Sequence, residues 1–431
     1  MLKQRRDRAA KAWGLTREIV LVGAGEPVFL PGHQDQTYPF RAHAEYFWLT
    51  DREKPGCVLA YDPKEGWTDF VPPVTDLQRV WEGASGAEGV PLKKLEAWLK
   101  KRKKRPTAVL GARIKGVQSD TKLTKRLREG LLDVRRPKDE EELRRMREAA
   151  RATAAGFARV APLIRPGVTE RALEIELEAE FFRNGAERTA YDTIVGTGPN
   201  SGVLHFMPTS RAAKANELVL IDAGAEVQGY ASDVTRTYAA SGKLTPEQRD
   251  IYAIVDETRK NAIAKCRPGV EWRDVHLGAC LDIARGLSAI GLLRGRAEDL
   301  LEQDAQALFF PHGIGHMLGL GVRDAGGKLP GRKQSKKPGL KYLRVDLPLK
   351  PGYVMTVEPG IYFIPALLNN AENRKRHRDS VAWDRIDRLL DFGGIRIEDN
   401  VLVTGGAPEV VTAAIPDRRR PARLAARPRR G

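Results

Sequence analysis

The sequence has few cysteines and no long apolar run, and each shortage excludes a class of protein. Its three cysteines, Cys57, Cys266 and Cys280, are widely separated and form no C-x-x-C pair. That argues against a disulfide framework or a thiolate metal site and points to a reducing compartment. No apolar stretch approaches the roughly 20 residues that span a bilayer. The opening MLKQRRDRAAKAWGL has no apolar core of a signal peptide. The expectation is a cytoplasmic protein with no membrane partner. A nucleic-acid-binding module with stacking aromatics is also missing, although the net charge is +17. The excess lies in clusters, KKRKKR at 100–105 and seven arginines in 418–431. Clusters of this kind are solvated ends and tails, so nucleic acid is not the expected partner.

What is present is ordinary globular material, 42% hydrophobic and 30% charged over 431 residues, enough for two domains. The expected division is a small α/β domain over 1–132, a second domain over 138–416 and an unordered tail over 417–431. The runs IVLVGAGEPVFLPG, YPFRAHAEYFWLT and CVLAYDP alternate strands with links, followed by a helix at 91–101 and a strand at 107–111. That half has no metal or nucleophile constellation; His33 and His43 read as structural or solvated. In the second half Pro137 is expected to open a charged helix, and Thr169 and Thr245 to cap later ones. The phrase R-P-G-V occurs at 165–168 and at 267–270, each time between two helices. It suggests a pseudo-symmetric domain built by duplication.

The chemistry gathers around LVLIDAGAEVQGYASDVTRTY at 218–238, which reads as a hairpin turning at Gln228-Gly229. Asp222 and Asp233 stand almost symmetrically about that turn. They are expected to pair across the ladder with Cβ atoms about 5 Å apart. Opposed carboxylates repel unless a cation sits between them, and two such acids can hold two divalent ions about 3.5–4 Å apart. Downstream, FFPHGIGHMLGL carries His312 and His316 around a Gly-x-Gly core that allows close backbone approach. Glu358 closes an apolar run in YVMTVEPGIY, where an unpaired acid is costly. Arg396 and Glu398 share one face of IRIEDNVLV by period two. Four carboxylates and one imidazole, Asp222, Asp233, His316, Glu358 and Glu398, suit hard or borderline ions, Mn²⁺ ahead of Co²⁺ or Zn²⁺.

That ordered series, with HGIGH, VEPGIYF and GGIRIEDN, resembles the pita-bread metallopeptidases, the family of methionine aminopeptidase, aminopeptidase P and prolidase, over about 138–405. The resemblance implies an α/β (α+β) fold, with a creatinase-like N-terminal domain before a pita-bread catalytic domain of pseudo-two-fold symmetry. It implies that the five residues ligate two divalent ions, and that water activated between the ions attacks the scissile carbonyl. Glu358 would shuttle the proton, and His205 and His312 would stabilise the oxyanion or the leaving proline nitrogen. GIYFIPALL before a long insert, and YPFRAHAEYFWLT, resemble the prolidase branch, implying an Xaa-Pro dipeptide as substrate and a homodimer. Arg344 and Arg396 match the prolidase arginines that take the free carboxylate, and Arg396 equally reads as a partner holding Glu398 ionised. Tyr191 and Asp192 fall where relatives line the N-terminal side of the substrate. One departure stands out: Arg323 occupies a slot where many relatives have a second histidine, with Gly321 where an Asp is common. A permanent cation there bears on substrate preference. The alternatives are aminopeptidase P acting on Xaa-Pro-Yaa peptides, organophosphate hydrolysis on the same site, and a non-catalytic binding module.

Overall fold

The computed structural model describes residues 1–32 and 36–416. The expectations for His33 and for the tail 417–431 fall outside the described residues. The chain divides into two compact units, Met1–Arg135 and the part from Arg136 onward.

The first unit is built on a five-stranded sheet in the order Val90–Pro91, Gly66–Val71, Val58–Asp62, Ile19–Gly23, Thr107–Gly111. Ile19–Gly23 is buried along its whole length, antiparallel to Val58–Asp62 and parallel to Thr107–Gly111. Burial on both faces is why IVLVG reads as a continuous apolar run rather than an alternation. The basic cluster at 100–105 is only partly solvated, against expectation. Arg102 is buried over the Trp98 ring, 3.7 Å from its centroid, and both Arg102 and Arg105 reach Asp62 at 2.7 Å. Asp62 is itself buried, and a buried carboxylate needs paired cations to stay ionised.

In the second unit two helix pairs, Glu140–Val160 with Glu170–Arg183 and Pro246–Ala264 with Trp272–Ala289, cover the strands. Phe157, Leu177 and Phe181 of the first pair form a core with Val195, Val219 and Ile221. Ile251, Val255 and Ile283 of the second do the same with Met355, Val357 and Ile395. The first helix begins three residues beyond Pro137. Asp139 caps it, accepting from Glu142 N at 3.0 Å while the Glu142 side chain accepts from Asp139 N at 3.0 Å. This reciprocal box satisfies two backbone donors, which a proline at the helix start cannot do. Thr169 and Thr245 cap their helices as expected.

The two R-P-G-V turns are built alike. Val168 N–H donates to Arg165 O at 3.1 Å and Val270 N–H to Arg267 O at 3.2 Å. Gly167 and Gly269 have φ of 87° and 84°, a region open to glycine. Each glycine N–H then donates at 2.8 Å to a second segment, Gly167 to Ala213 O and Gly269 to Leu349 O. Nine residues after those two acceptors come Asp222 and Glu358, at the ends of the buried strands Leu218–Ala223 and Val354–Val357. The duplication thus delivers one carboxylate from each half.

The hairpin turns where expected, with positive φ at Gln228 (49°) and Gly229 (81°), but its register differs by two residues. Val227 faces Tyr230, and continuing the ladder puts Asp222 opposite Thr235, not Asp233. A two-residue turn at 228–229 forces this, because it closes 227 against 230. Asp233 lies on the diagonal from Asp222, on the same face, where Cβ separations run to about 7–8 Å.

Candidate metal centre

The diagonal placement leaves space between the two carboxylates, and a phenol enters it. Tyr191 Oη lies 2.5 Å from Asp222 Oδ1 and 2.6 Å from Asp233 Oδ1, so one hydroxyl proton serves two carboxylates. On its other side Asp222 Oδ2 accepts from Arg396 Nη2 at 2.5 Å. Arg396 also donates to Tyr362 Oη at 2.8 Å and to Thr235 Oγ1 at 2.9 Å, and the residue is 3% exposed. All three arms of its guanidinium are therefore engaged. Its carboxylate partner is Asp222 rather than Glu398. The strand expected to carry both residues breaks between them, into Gly394–Arg396 and Asp399–Leu402. Glu398 sits in the gap, held by its N–H to Thr235 O at 3.0 Å and by Thr235 Oγ1 donating to Oε2 at 2.7 Å.

The histidines come from the segment that the two glycines allow to approach strand Val354–Val357. His316 N–H donates to Thr356 Oγ1 at 3.0 Å and its carbonyl accepts from Thr356 N–H at 2.9 Å. A Cβ on Gly315 would overlap the Thr356 carbonyl oxygen. His316 Nδ1 is 3.1 Å from Met317 O; a carbonyl only accepts, so Nδ1 carries a proton and Nε2 is the nitrogen turned to the cluster. That nitrogen lies 3.3 Å from Asp233 Oδ2 and 3.8 Å from Glu358 Oε1. His312 has Nδ1 at 2.8 Å from Gly313 O and Nε2 at 2.9 Å from Tyr362 Oη. Burial, with Arg396 beside it, pushes His312 down to about 3, so it is neutral.

The electrostatics of the cluster ask for cations. Ligand atoms of Asp233, His316 and Glu398 lie within 4.8 Å of one another, and all three residues are buried. Burial pushes Glu358 up to about 7, with Asp233 and Asp222 adding and His316 and Arg396 opposing. Burial raises Glu398 well above the carboxylate range, and Asp233 and Glu358 add to it. Asp222 is raised by burial in spite of Arg396. Four carboxylates stand against one guanidinium, and the remaining donors are oxygens plus one imidazole nitrogen. That set fits hard or borderline divalent ions.

Above the cluster opens a cavity of about 760 Å³, and all twelve residues singled out in the sequence line it. Tyr191, Asp222, Asp233, His312, His316, Glu358, Arg396 and Glu398 are at its base. Asp192, His205, Arg323 and Arg344 are exposed along it. Among the described residues neither Arg323 nor Arg344 makes a hydrogen bond or an ion pair; burial and the nearby Arg323 both lower the Arg344 pKa. Ile364, Ala366 and Leu367 give the cavity an apolar side. Sequence reasoning missed Tyr362, Thr235 and Thr356, which hold the functional groups in place. Thr235 had a signal, since it alternates with Asp233 in D-V-T and so shares its face. Tyr362 and Thr356 carried none that stands out from an ordinary strand.

A buried carboxylate–imidazole cluster at the base of an open cavity, on a duplicated α/β unit, defines the class as metallopeptidase. The chain belongs to metallopeptidase family M24, whose family model matches residues 144–405. The model of the aminopeptidase P N-terminal domain matches residues 2–93. The fold is accordingly mixed α/β, an aminopeptidase P-type N-terminal domain followed by a pita-bread domain. A probable Xaa-Pro aminopeptidase of Tuber melanosporum is 32% identical, over 88% of this chain and 86% of its own. One of Botryotinia fuckeliana is 33% identical over 93% and 90%. Aminopeptidase PepP of Pseudomonas aeruginosa superposes with a TM-score of 0.78 at 29% identity, over 96% of each chain. Escherichia coli aminopeptidase P with the inhibitor Pro-Leu gives 0.76 at 27% identity, over 97% of this chain and 96% of its own. These relatives bear the aminopeptidase name, which favours the aminopeptidase P alternative over the expected prolidase branch. Among the described residues no helix is long and apolar enough to cross a membrane.

Proposed function

We propose that this chain is a metal-dependent Xaa-Pro aminopeptidase, releasing the N-terminal residue of peptides that have proline second. The convergence of Asp222, Asp233, His316, Glu358 and Glu398 at the base of one cavity carries the reading, and the names of the relatives support the proline specificity. Those five residues would hold two divalent ions, Mn²⁺ first, with Co²⁺ or Zn²⁺ also suited. Such ions supply the Lewis acidity that makes water nucleophilic at neutral pH and polarises a carbonyl. Arg396 fixes Asp222 and opposes the burial that raises its pKa, while the Met317 carbonyl holds His316 with Nε2 turned to the cluster. Glu358 would accept and return a proton at the oxygens it turns to the cavity. His312, neutral, and His205 on the exposed rim would meet the carbonyl oxygen and the proline nitrogen. Tyr191 and Asp192 would flank the free amino end. The catalytic domain would span 138–416 and the N-terminal domain 1–132.

One observation favours a second reading, a dipeptidase. Arg323 and Arg344 offer two cations that make no ion pair among the described residues, as a substrate's free carboxylate would require. Turnover of Ala-Pro-Ala against Ala-Pro, on metal-depleted protein refilled with Mn²⁺, separates the two. Faster cleavage of the tripeptide upholds the aminopeptidase; cleavage of the dipeptide alone replaces it.

A further inference from the structure

The segment 312–316 is held from one side by Thr356 and Glu358, whose N–H donates to Ile314 O at 2.9 Å. From the other side it is held by a histidine outside the cavity, His276, on helix Trp272–Ala289 and 1% exposed. Ile314 N–H donates to His276 Nδ1 at 3.2 Å, and His276 Nε2 lies 2.6 Å from Gly339 O. The carbonyl can only accept, so the imidazole is neutral, with its proton on Nε2 and its lone pair on Nδ1. One ring therefore spans two segments with opposite hydrogen-bonding roles. The second segment runs from Gly339 to Tyr342 and Arg344 on the cavity wall. It touches the first directly, since a Cβ on Gly313 would lie 3.2 Å from Tyr342 O and 3.5 Å from Leu343 Cα. Gly339 is fixed in turn by its N–H to Asp304 Oδ1 at 3.2 Å.

We infer that His276 is a positioning residue for the reaction: its Nδ1 sets the place of the 312–316 histidines, and its Nε2–H sets the substrate-facing 339–344 wall against them. The inference rests on the function proposed above. A misplacement of about 1 Å from outside a site can cost on the order of a hundredfold in rate, so a single bridging ring is enough to matter. The two hydrogen bonds make separable contributions. The Nδ1 bond governs the groups that do the chemistry, and the Nε2 bond governs the wall that receives the substrate.

Three variants resolve this. His276→Asn places an acceptor near the Nδ1 position and lacks the reach to Gly339. His276→Gln reaches the Nε2 position and lacks the near acceptor. His276→Phe keeps a ring and neither bond. On Ala-Pro-Ala, His276→Asn is expected to keep kcat within about threefold and raise KM about tenfold. His276→Gln is expected to do the reverse, and His276→Phe to lose in both. A second readout needs no turnover, the shift in melting temperature on adding Mn²⁺ to metal-depleted protein. It should be near wild type for His276→Asn and smaller for His276→Gln and His276→Phe. If His276→Phe does not fold, the Asn and Gln pair still gives the split. Equal loss of kcat and KM in Asn and Gln, tracking lost melting temperature, makes His276 a packing residue and overturns the inference, as does wild-type behaviour of all three. A wild-type chain that cleaves no Xaa-Pro peptide refutes the proposed function instead, and the Mn²⁺ shifts still decide the role of His276.

Discussion

Replacing Asp233 with asparagine should make the metal-free protein more stable while removing its activity. Ligand atoms of Asp233 and Glu398 lie within 4.8 Å, and at an effective dielectric of about 20 two unit charges so spaced repel by about 3.5 kcal/mol. Asp233→Asn is nearly isosteric and keeps an oxygen for Tyr191. Burial lowers the His316 pKa, but Asp233 and Glu358 outweigh it and favour the charged ring in the metal-free protein, so losing the Asp233 charge costs about 1 kcal/mol there. The raised pKa of Glu398 means part of the repulsion is already relieved by protonation, so the net gain expected is about 1–2 kcal/mol. At about 2 °C per kcal/mol for a unit of this size, that is a rise of roughly 2–4 °C. Metal should reverse the order. A ligand at a hundred times its Kd stabilises a protein by about 2.7 kcal/mol, and wild type should gain this from Mn²⁺ where the variant gains little. Calorimetry of both proteins, after chelation and after refilling, gives four melting temperatures. The reasoning is refuted if the chelated variant melts below chelated wild type and still responds fully to Mn²⁺.

Other outcomes follow from single contacts. Arg344→Ala should raise KM for Ala-Pro ten- to a hundredfold, since a hydrogen bond to a charged group is worth about 1.5–3 kcal/mol, and barely affect Ala-Pro-Ala-amide in steady-state assays. Asp62→Asn should destabilise the first unit by about 3 kcal/mol at pH 7, since Arg105 loses its ion pair and buried Arg102 keeps only the exposed Glu65, read by urea unfolding. Burial works against ionisation of Asp62, and the hydrogen bonds from Arg105, Lys64 N–H and Arg102 outweigh it, holding the carboxyl well below its usual range. This stability is present above the unfolded value near 3.9 and lost as pH falls through the folded one, so the gap between wild type and Asp62→Asn should narrow at pH 3. Gly315→Ala should cut kcat by on the order of a hundredfold and also lower the melting temperature, because the new Cβ meets the backbone carbonyl of Thr356 and moves His316.

The parts of the site that were legible in the sequence are those whose chemistry is expensive in isolation. Asp222 and Glu358 could be picked out because an acid closing an apolar strand demands a partner, and the two glycines around Ile314 because close approach demands them. The repeated R-P-G-V was readable because a turn between helices has its own residue requirements. Register was not readable by symmetry of two acids; it follows from the turn, and counting outward from Val227 and Tyr230 gives Thr235 opposite Asp222. The role of Arg396 was open because its partners, Asp222, Tyr362 and Thr235, are far apart in sequence. Arg102 and Arg105 were misread as solvated because nothing local announces that Asp62 lies beneath them. The branch within the family was the hardest, since two unpaired arginines at the cavity suit a dipeptide while the relatives carry the aminopeptidase name.

The measurement that bears most directly on the account is cleavage of Ala-Pro-Ala, Ala-Pro and Ala-Ala-Ala by the chelated protein and by the same protein refilled with Mn²⁺. The account predicts release of alanine from Ala-Pro-Ala only after refilling, slower release from Ala-Pro, and none from Ala-Ala-Ala. Release that persists after complete chelation, or that ignores the proline, would contradict it.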